Sequence, residues 1–327
     1  MSVTCAPCPS DRIKYGTADG LPQARDRYHP GVGEDLSGRL YGVAWWVTPR
    51  LPGPVAAIGF DAVATVMRWS GVGGVHQLRV NLAQVLGQPA DSPAVTATAD
   101  RGVHSYLRYW REFFGLAGWS PDRIRDTVVF ESLDRVAAAR DAGRGVVLAL
   151  PHSGNWDLAG AALVLNGHRF TTVAERLRPE RLYQRFVSHR AALGIEVLPA
   201  DETRRAITTI TQRLRAGEVV CLVADRDMSA AGIGVRFCDA PTTFPAGPAQ
   251  LALRTGAALM PATLWYDGPQ LRVRINPEIV PGRDGTTRAR VAAMTQELAD
   301  VFTGAVRRHP HDWHVLQPAW PAPAQQG

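Results

Sequence analysis

The chain has 327 residues, 46% of them hydrophobic and 20% charged, with a net charge of +6 and an isoelectric point near 9.5. That length and apolar content suffice for a full core and exclude an intrinsically disordered chain, while four cysteines are too few for a disulfide framework. No run reaches the ~18 uninterrupted apolar residues of a membrane span, and residues 1–38 lack the apolar stretch of a signal peptide, so none is expected. The basic balance favours an anionic partner. Lys14 is the only lysine, so the positive charge is almost all guanidinium; this suits bidentate phosphate capture, although a GC-rich genome produces the same bias.

In chain order, residues 1–38 are rich in Pro, Gly, Asp and Arg without periodicity and read as a mobile tail before a single domain over 39–327. Cys5 and Cys8 form a lone C-x-x-C in that tail with no second pair, which argues against zinc. Tyr41–Val47 and Val55–Ser70 read as a pair of helices with a broad apolar surface. That surface is either core packing or a face resting on a membrane, where Trp and Arg are favoured. Leu78–Leu86 and Ala99–Phe114 carry helical spacing, after which short apolar runs alternate with amphipathic ones. The predicted strands are 128–130, 146–150, 170–173, 196–198, 219–224, 233–237, 259–266 and 271–275. The predicted helices among them are 131–142, 155–166, 179–192, 203–216, 247–256 and 286–308. The alternation predicts an α/β fold whose central sheet is mostly parallel and flanked by helices, with sites beyond the carboxyl ends of the strands.

The richest of those ends is Pro151–Asp157, directly after Val146–Leu150. His152 and Asp157 stand at H-x-x-x-x-D spacing in a strand–loop–helix context. A carboxylate folded back on one ring nitrogen would fix the tautomer and make the other nitrogen a general base. The expected partner is Asp157, one turn into the helix, with backbone N–H groups near Gly154 and Asn155 receiving an oxyanion.

Asp225 closes the strand 219–224 and reads either as a second orienting carboxylate, as a group holding the acceptor, or as a cap or ion-pair partner of Arg226. Glu175 and Arg176 follow another strand, and Arg190 lies fourteen residues beyond Arg176. A shared anion-binding cleft and a solvated basic face are the two readings of that group. Gly247 opens a helix whose N-terminus would suit phosphate, although Pro and Gly mark any turn. Cys221 is a rival nucleophile, but its apolar strand points to packing instead.

The ordered strings His152-Ser153-Gly154-Asn155-Trp156-Asp157, Val173-Ala174-Glu175-Arg176-Leu177, Ala224-Asp225-Arg226-Asp227, Ala246-Gly247-Pro248-Ala249 and Asp312-Trp313-His314 through Leu316-Gln317-Pro318 resemble the lysophospholipid acyltransferase superfamily. The nearest branch is that of the lipid A lauroyl/myristoyl acyltransferases, and within it the actinobacterial phosphatidylinositol mannoside acyltransferases. The resemblance covers about residues 40–320. It implies a glycerol-3-phosphate acyltransferase-like α/β domain with N-terminal helices near the membrane, peripheral to the cytoplasmic face of the cell membrane. It implies acyl-CoA as co-substrate, no cofactor and no metal, and a lipid or glycolipid acceptor. His152 becomes the general base, Asp157 its charge-relay partner and Arg190 a residue on the CoA side. Asp225 stands where the mannoside enzymes carry Glu, one methylene longer, and Arg254 where they carry an acidic residue beside the acceptor.

The expected reaction is therefore transfer of a fatty acyl group from acyl-CoA to a hydroxyl of a glycolipid or phospholipid. A thioester hydrolase, an acyltransferase of secondary-metabolite sugars or amines, and a non-catalytic binder of anionic membranes are the alternatives. Scattered arginines and the lack of any helix-turn-helix, OB or RRM pattern argue against a nucleic-acid partner.

Overall fold

In the computed structural model, the described residues are 41–70, 74–176, 179–227 and 232–321. The tail read at 1–38 and the Cys5–Cys8 pair lie outside them. Nine strands follow in chain order: β1 Val128–Glu131, β2 Val146–Leu150, β3 Phe170–Ala174, β4 Glu196–Pro199, β5 Val219–Val223, β6 Ile233–Phe237, β7 Ala240–Phe244, β8 Ala258–Asp267 and β9 Gln270–Ile275. Ten α-helices surround them: α1 Gly53–Ser70, α2 Val75–Leu86, α3 Pro93–Gly115, α4 Pro121–Thr127, α5 Asp134–Asp141, α6 Trp156–Leu165, α7 Glu180–Ala192, α8 Thr203–Arg215, α9 Gly247–Thr255 and α10 Thr287–Arg308. Residues 41–47 are also helical.

Seven strands form one sheet in the order β1-β9-β8-β2-β5-β3-β4, and β6 and β7 pair separately. β8, β2, β5, β3 and β4 run parallel, as the alternation of strands and helices predicts. β9 departs from that pattern and runs antiparallel to β8, carrying β1 with it. The reason is local: only Gly268 and Pro269 separate β8 from β9, and so short a link cannot make the crossover that a parallel pair needs. β7 is absent from the sequence reading because its hairpin turn is Cys238-Asp239. Both residues have positive φ, 47° and 66°, the geometry of a type I′ turn normally marked by Asn-Gly.

The central strand β2 is buried at every residue, the pattern of a strand covered on both faces. Its alternate side chains feed two cores. Val147 and Ala149 join the core beneath α9 and α10; Leu148 and Leu150 join the one beneath α4 and α6. α6 is apolar along most of its length, and its start is fixed by Asn155, whose side-chain oxygen accepts from the Leu158 amide at 2.9 Å.

α1 buries little besides Ala56 and Ala64. Among the described residues, eight of the eleven large exposed hydrophobic residues lie between Val43 and Trp69, including Trp46 at 63%, Ile58 at 71%, Val66 at 65% and Trp69 at 86%. Trp45 turns the other way and packs on Phe113, Phe114 and Phe186. One side of the segment is therefore core, as the first reading of its sequence has it, and the other is an exposed apolar face. Among the described residues no single helix is long and apolar enough to cross a membrane.

Candidate active site

β2 and β5 are parallel neighbours with Leu150 opposite Val223. Continuing that register two residues past the strand ends sets His152 beside Asp225. The structure closes the pair: His152 Nδ1 and Asp225 Oδ1 are 2.6 Å apart, and the His152 amide donates to Asp225 Oδ2 at 2.9 Å. The Trp313 indole N–H donates to the same oxygen at 2.8 Å. The Asp225 side chain is fully buried, whereas His152 keeps 32% of its side-chain surface exposed. Burial pushes the Asp225 carboxyl up, but the His152 ring and the donors from His152 and Trp313 outweigh it, and its pKa lies below the ordinary carboxylate value. An ionised Asp225 requires the proton on His152 Nδ1, which leaves the Nε2 lone pair for chemistry.

Asp157 is not the partner of His152. It is 2% exposed, and its oxygens accept from Arg190 Nε at 2.6 Å, Arg190 Nη2 at 3.1 Å and the Tyr109 hydroxyl at 2.8 Å. The helical turn that begins at Trp156 points this carboxylate toward α3 and α7, so the fold-back expected from the spacing does not occur. Arg190, expected on the CoA side, is held in that ion pair. Burial alone would lower its pKa, but Asp157 raises it above the usual arginine value. Burial and then the Asp157 charge push the Tyr109 phenol far up, so it stays a donor.

Gly154 also departs from expectation. Its N–H donates to the Asp312 carbonyl at 2.9 Å and is not free to receive an oxyanion. Glycine is required there for another reason: φ is +58°, and a Cβ would meet Leu264 and Leu271 at 3.1 Å. The Asn155 side chain is spent on capping α6 and on Glu112 at 2.9 Å. Two amides of the first turn of α6, Trp156 and Asp157, lie before the first intrahelical bond.

A cavity of about 470 Å³ opens beside His152 and runs between the sheet and α6. Leu148, Leu150, Cys221, Val223 and Ala262 form its sheet side, Ala159 and Leu163 its helix side. His152, Trp156, Asp157, Glu175, Arg190 and His314 provide its polar part. Glu175 is exposed, and Arg176 is 43% exposed beside Asp201 at 3.4 Å. Cys221 is a wall residue whose thiol burial pushes far up, which removes the thiolate a nucleophile needs. Gly247 and Arg254 do not line this cavity. Their helix, α9, packs in the core on the other face of the sheet, with Arg254 exposed.

Residues the sequence reading left without a role complete the site. His314 donates its amide to the His152 carbonyl at 2.7 Å. Its Nε2 lies 2.9 Å from Ser105 Oγ, which donates to Asp312 Oδ1 at 2.6 Å. Burial, followed by the nearby His152 and His311, pushes the His314 pKa down to about 3, so the ring is neutral. Asp312-Trp313-His314 was visible as a motif, but no spacing rule connects it to residue 152. Among the described residues no group of three or more His, Cys, Asp or Glu is placed to hold a metal.

The model of the bacterial lipid A biosynthesis acyltransferase family matches residues 36–321. The chain is 44% identical over 297 residues to a phosphatidylinositol mannoside acyltransferase of Mycolicibacterium smegmatis, covering 87% of this chain and 95% of that one. It is 44% identical over 286 residues to proteins of the same name from two strains of Mycobacterium tuberculosis, covering 86% of this chain and 87% of theirs. Fold, cavity and matched sequence agree: the chain belongs to the bacterial lipid A biosynthesis acyltransferase family and is an acyltransferase.

Proposed function

We propose that the enzyme transfers a fatty acyl group from acyl-CoA to a hydroxyl of a phosphatidylinositol mannoside-like glycolipid, with His152 as general base and Asp225 as its carboxylate partner. The observation that carries this reading is the His152–Asp225 pair at the mouth of an apolar cavity. Nε2 takes the proton of the acceptor hydroxyl as its oxygen attacks the thioester carbonyl. The tetrahedral oxyanion is received by the first-turn amides of α6, at the positive end of the helix dipole. Collapse expels the CoA thiolate, which recovers the proton from His152. The aliphatic walls from Leu148 to Leu163 take the acyl chain. Asp157 and Arg190 act one step back, as a neutralised pair that fixes α6 against α7.

Localisation follows the same logic. The exposed face carrying Trp46, Ile58, Val66 and Trp69 rests peripherally on the membrane that holds the acceptor, on the cytoplasmic side where CoA thioesters are found. The relatives' shared name supports the mannoside acceptor.

The test is acyl transfer from hexadecanoyl-CoA to phosphatidylinositol mannoside, read by mass spectrometry, for the parent protein, His152→Ala and Asp225→Asn, with folding checked by circular dichroism. Loss of product by about three orders of magnitude is expected for either variant, the scale seen when a base or its orienting carboxylate is removed. Undiminished transfer by folded His152→Ala refutes the mechanism. Thioester cleavage at full rate without acceptor identifies a hydrolase instead.

A further inference from the structure

The segment Asp312–His314 passes behind the loop that carries His152 and grips it from both sides. Gly154 donates to the Asp312 carbonyl, His314 donates to the His152 carbonyl, and Ser153 and Trp313 form an antiparallel bridge. Trp313 has no exposed surface, and its ring packs on Phe237 and Trp320 with centroids 5.6 and 5.9 Å away. Its N–H meets Asp225 Oδ2. The oxygens of Asp225 are thus divided: Oδ1 serves the His152 ring, and Oδ2 serves the His152 amide and the indole.

We propose that Trp313 is a positioning residue for the acyl transfer, holding the Asp225 carboxylate so that Oδ1 stays on His152 Nδ1. The proposal rests on His152 being the base. Two features of the site make an indole the suitable donor. The carboxylate is buried and its plane must not turn, which a rigid ring locked among aromatics ensures. The donor must also be uncharged, because a cation on Oδ2 would cancel the negative charge that stabilises an imidazolium at His152.

Among the described residues the other charged or titratable groups about the pair are His311, Asp312 and neutral His314 on or beside this segment, Cys221 on β5, Arg226 next to Asp225, Glu175 after β3, the Asp157–Arg190 ion pair, and Tyr106 and Tyr109 on α3. None of these changes when the indole does. Removing the N–H leaves the carboxylate less stabilised by neutral donors and its charge more available to the ring. The imidazolium is then easier to form, so the acid limb of kcat/KM moves to higher pH, while the less constrained carboxylate lowers kcat.

Trp313→Phe deletes the donor but also part of the ring. Trp313→3-benzothienylalanine replaces only N–H by S and keeps the packing. With hexadecanoyl-CoA and phosphatidylinositol mannoside, the isostere is expected to lower kcat about tenfold, the scale of one hydrogen bond to a charged group. KM for the thioester should stay within about twofold, and the acid limb should rise by about half a pH unit. Unchanged kcat, or a lower kcat with an unmoved acid limb, overturns the positioning role. Retained transfer in folded His152→Ala instead refutes the base and with it this proposal, so the two failures are told apart.

Discussion

Arg190→Met tests the corrected place of Asp157. In the folded protein the Asp157 carboxylate is 2% exposed and the Arg190 side chain 15% exposed, joined by contacts of 2.6 and 3.1 Å. Methionine approximates the length of the arginine stem but removes the charge, leaving a buried carboxylate with only the Tyr109 hydroxyl. Breaking one side of such a pair costs about 3–5 kcal/mol; because Tyr109 remains, a loss near the lower end, about 3 kcal/mol, is expected. Against a total of about 5–15 kcal/mol for a domain, the variant should unfold at clearly lower guanidinium concentration with an unchanged slope. The partner experiment removes both charges. Asp157→Leu combined with Arg190→Met should recover more than half of the loss, since no ion is then stranded. A loss below about 1 kcal/mol for Arg190→Met would place the pair among solvent-screened surface bridges and refute the argument from burial.

His314 makes stability fall on acidification. Its folded pKa of about 3 lies below the ordinary histidine value of 6.5, so its contribution is complete above pH 6.5 and is lost as pH falls toward 3, by up to roughly 5 kcal/mol. His314→Gln should flatten denaturation midpoints over that window. Ala159→Phe narrows the cavity on the α6 side; losing room for three methylenes costs about 2.4 kcal/mol, so kcat/KM for hexadecanoyl-CoA should fall about fifty-fold relative to a donor three carbons shorter. Ile58→Glu with Trp69→Glu should weaken sedimentation with anionic vesicles at least tenfold, while hydrolysis or transfer with detergent-dispersed acceptor stays within about twofold.

Strand and helix order was largely legible because alternating apolar runs and 3.6-residue spacing are local properties, and β2, α6 and β6 lie within a residue of where the pattern sets them. β7 was missed for a local reason as well: the β6–β7 turn uses Cys238-Asp239 where a sequence reader looks for Asn-Gly. The antiparallel β9, set by the brevity of Gly268-Pro269, is compatible with a sheet expected to be mostly parallel. At the site, His152 was legible from its strand–loop–helix setting. Its partner was not: spacing along the chain favoured Asp157, but which carboxylate meets the ring is decided by the β2–β5 register, a property of the folded sheet. Trp313 and His314 stood in a visible motif, yet only tertiary contact brings them to residue 152.

The division of the catalytic unit among residues 152, 225 and 313 orders events during synthesis. β2 and β3 leave the ribosome before β5, which must insert between them, so the middle of the sheet stays open while more than forty residues are added. The brace at 313 arrives last of all. A nascent or C-terminally clipped chain therefore has a histidine without its full clamp and an unfinished oily groove, which makes acylating power a late-acquired property.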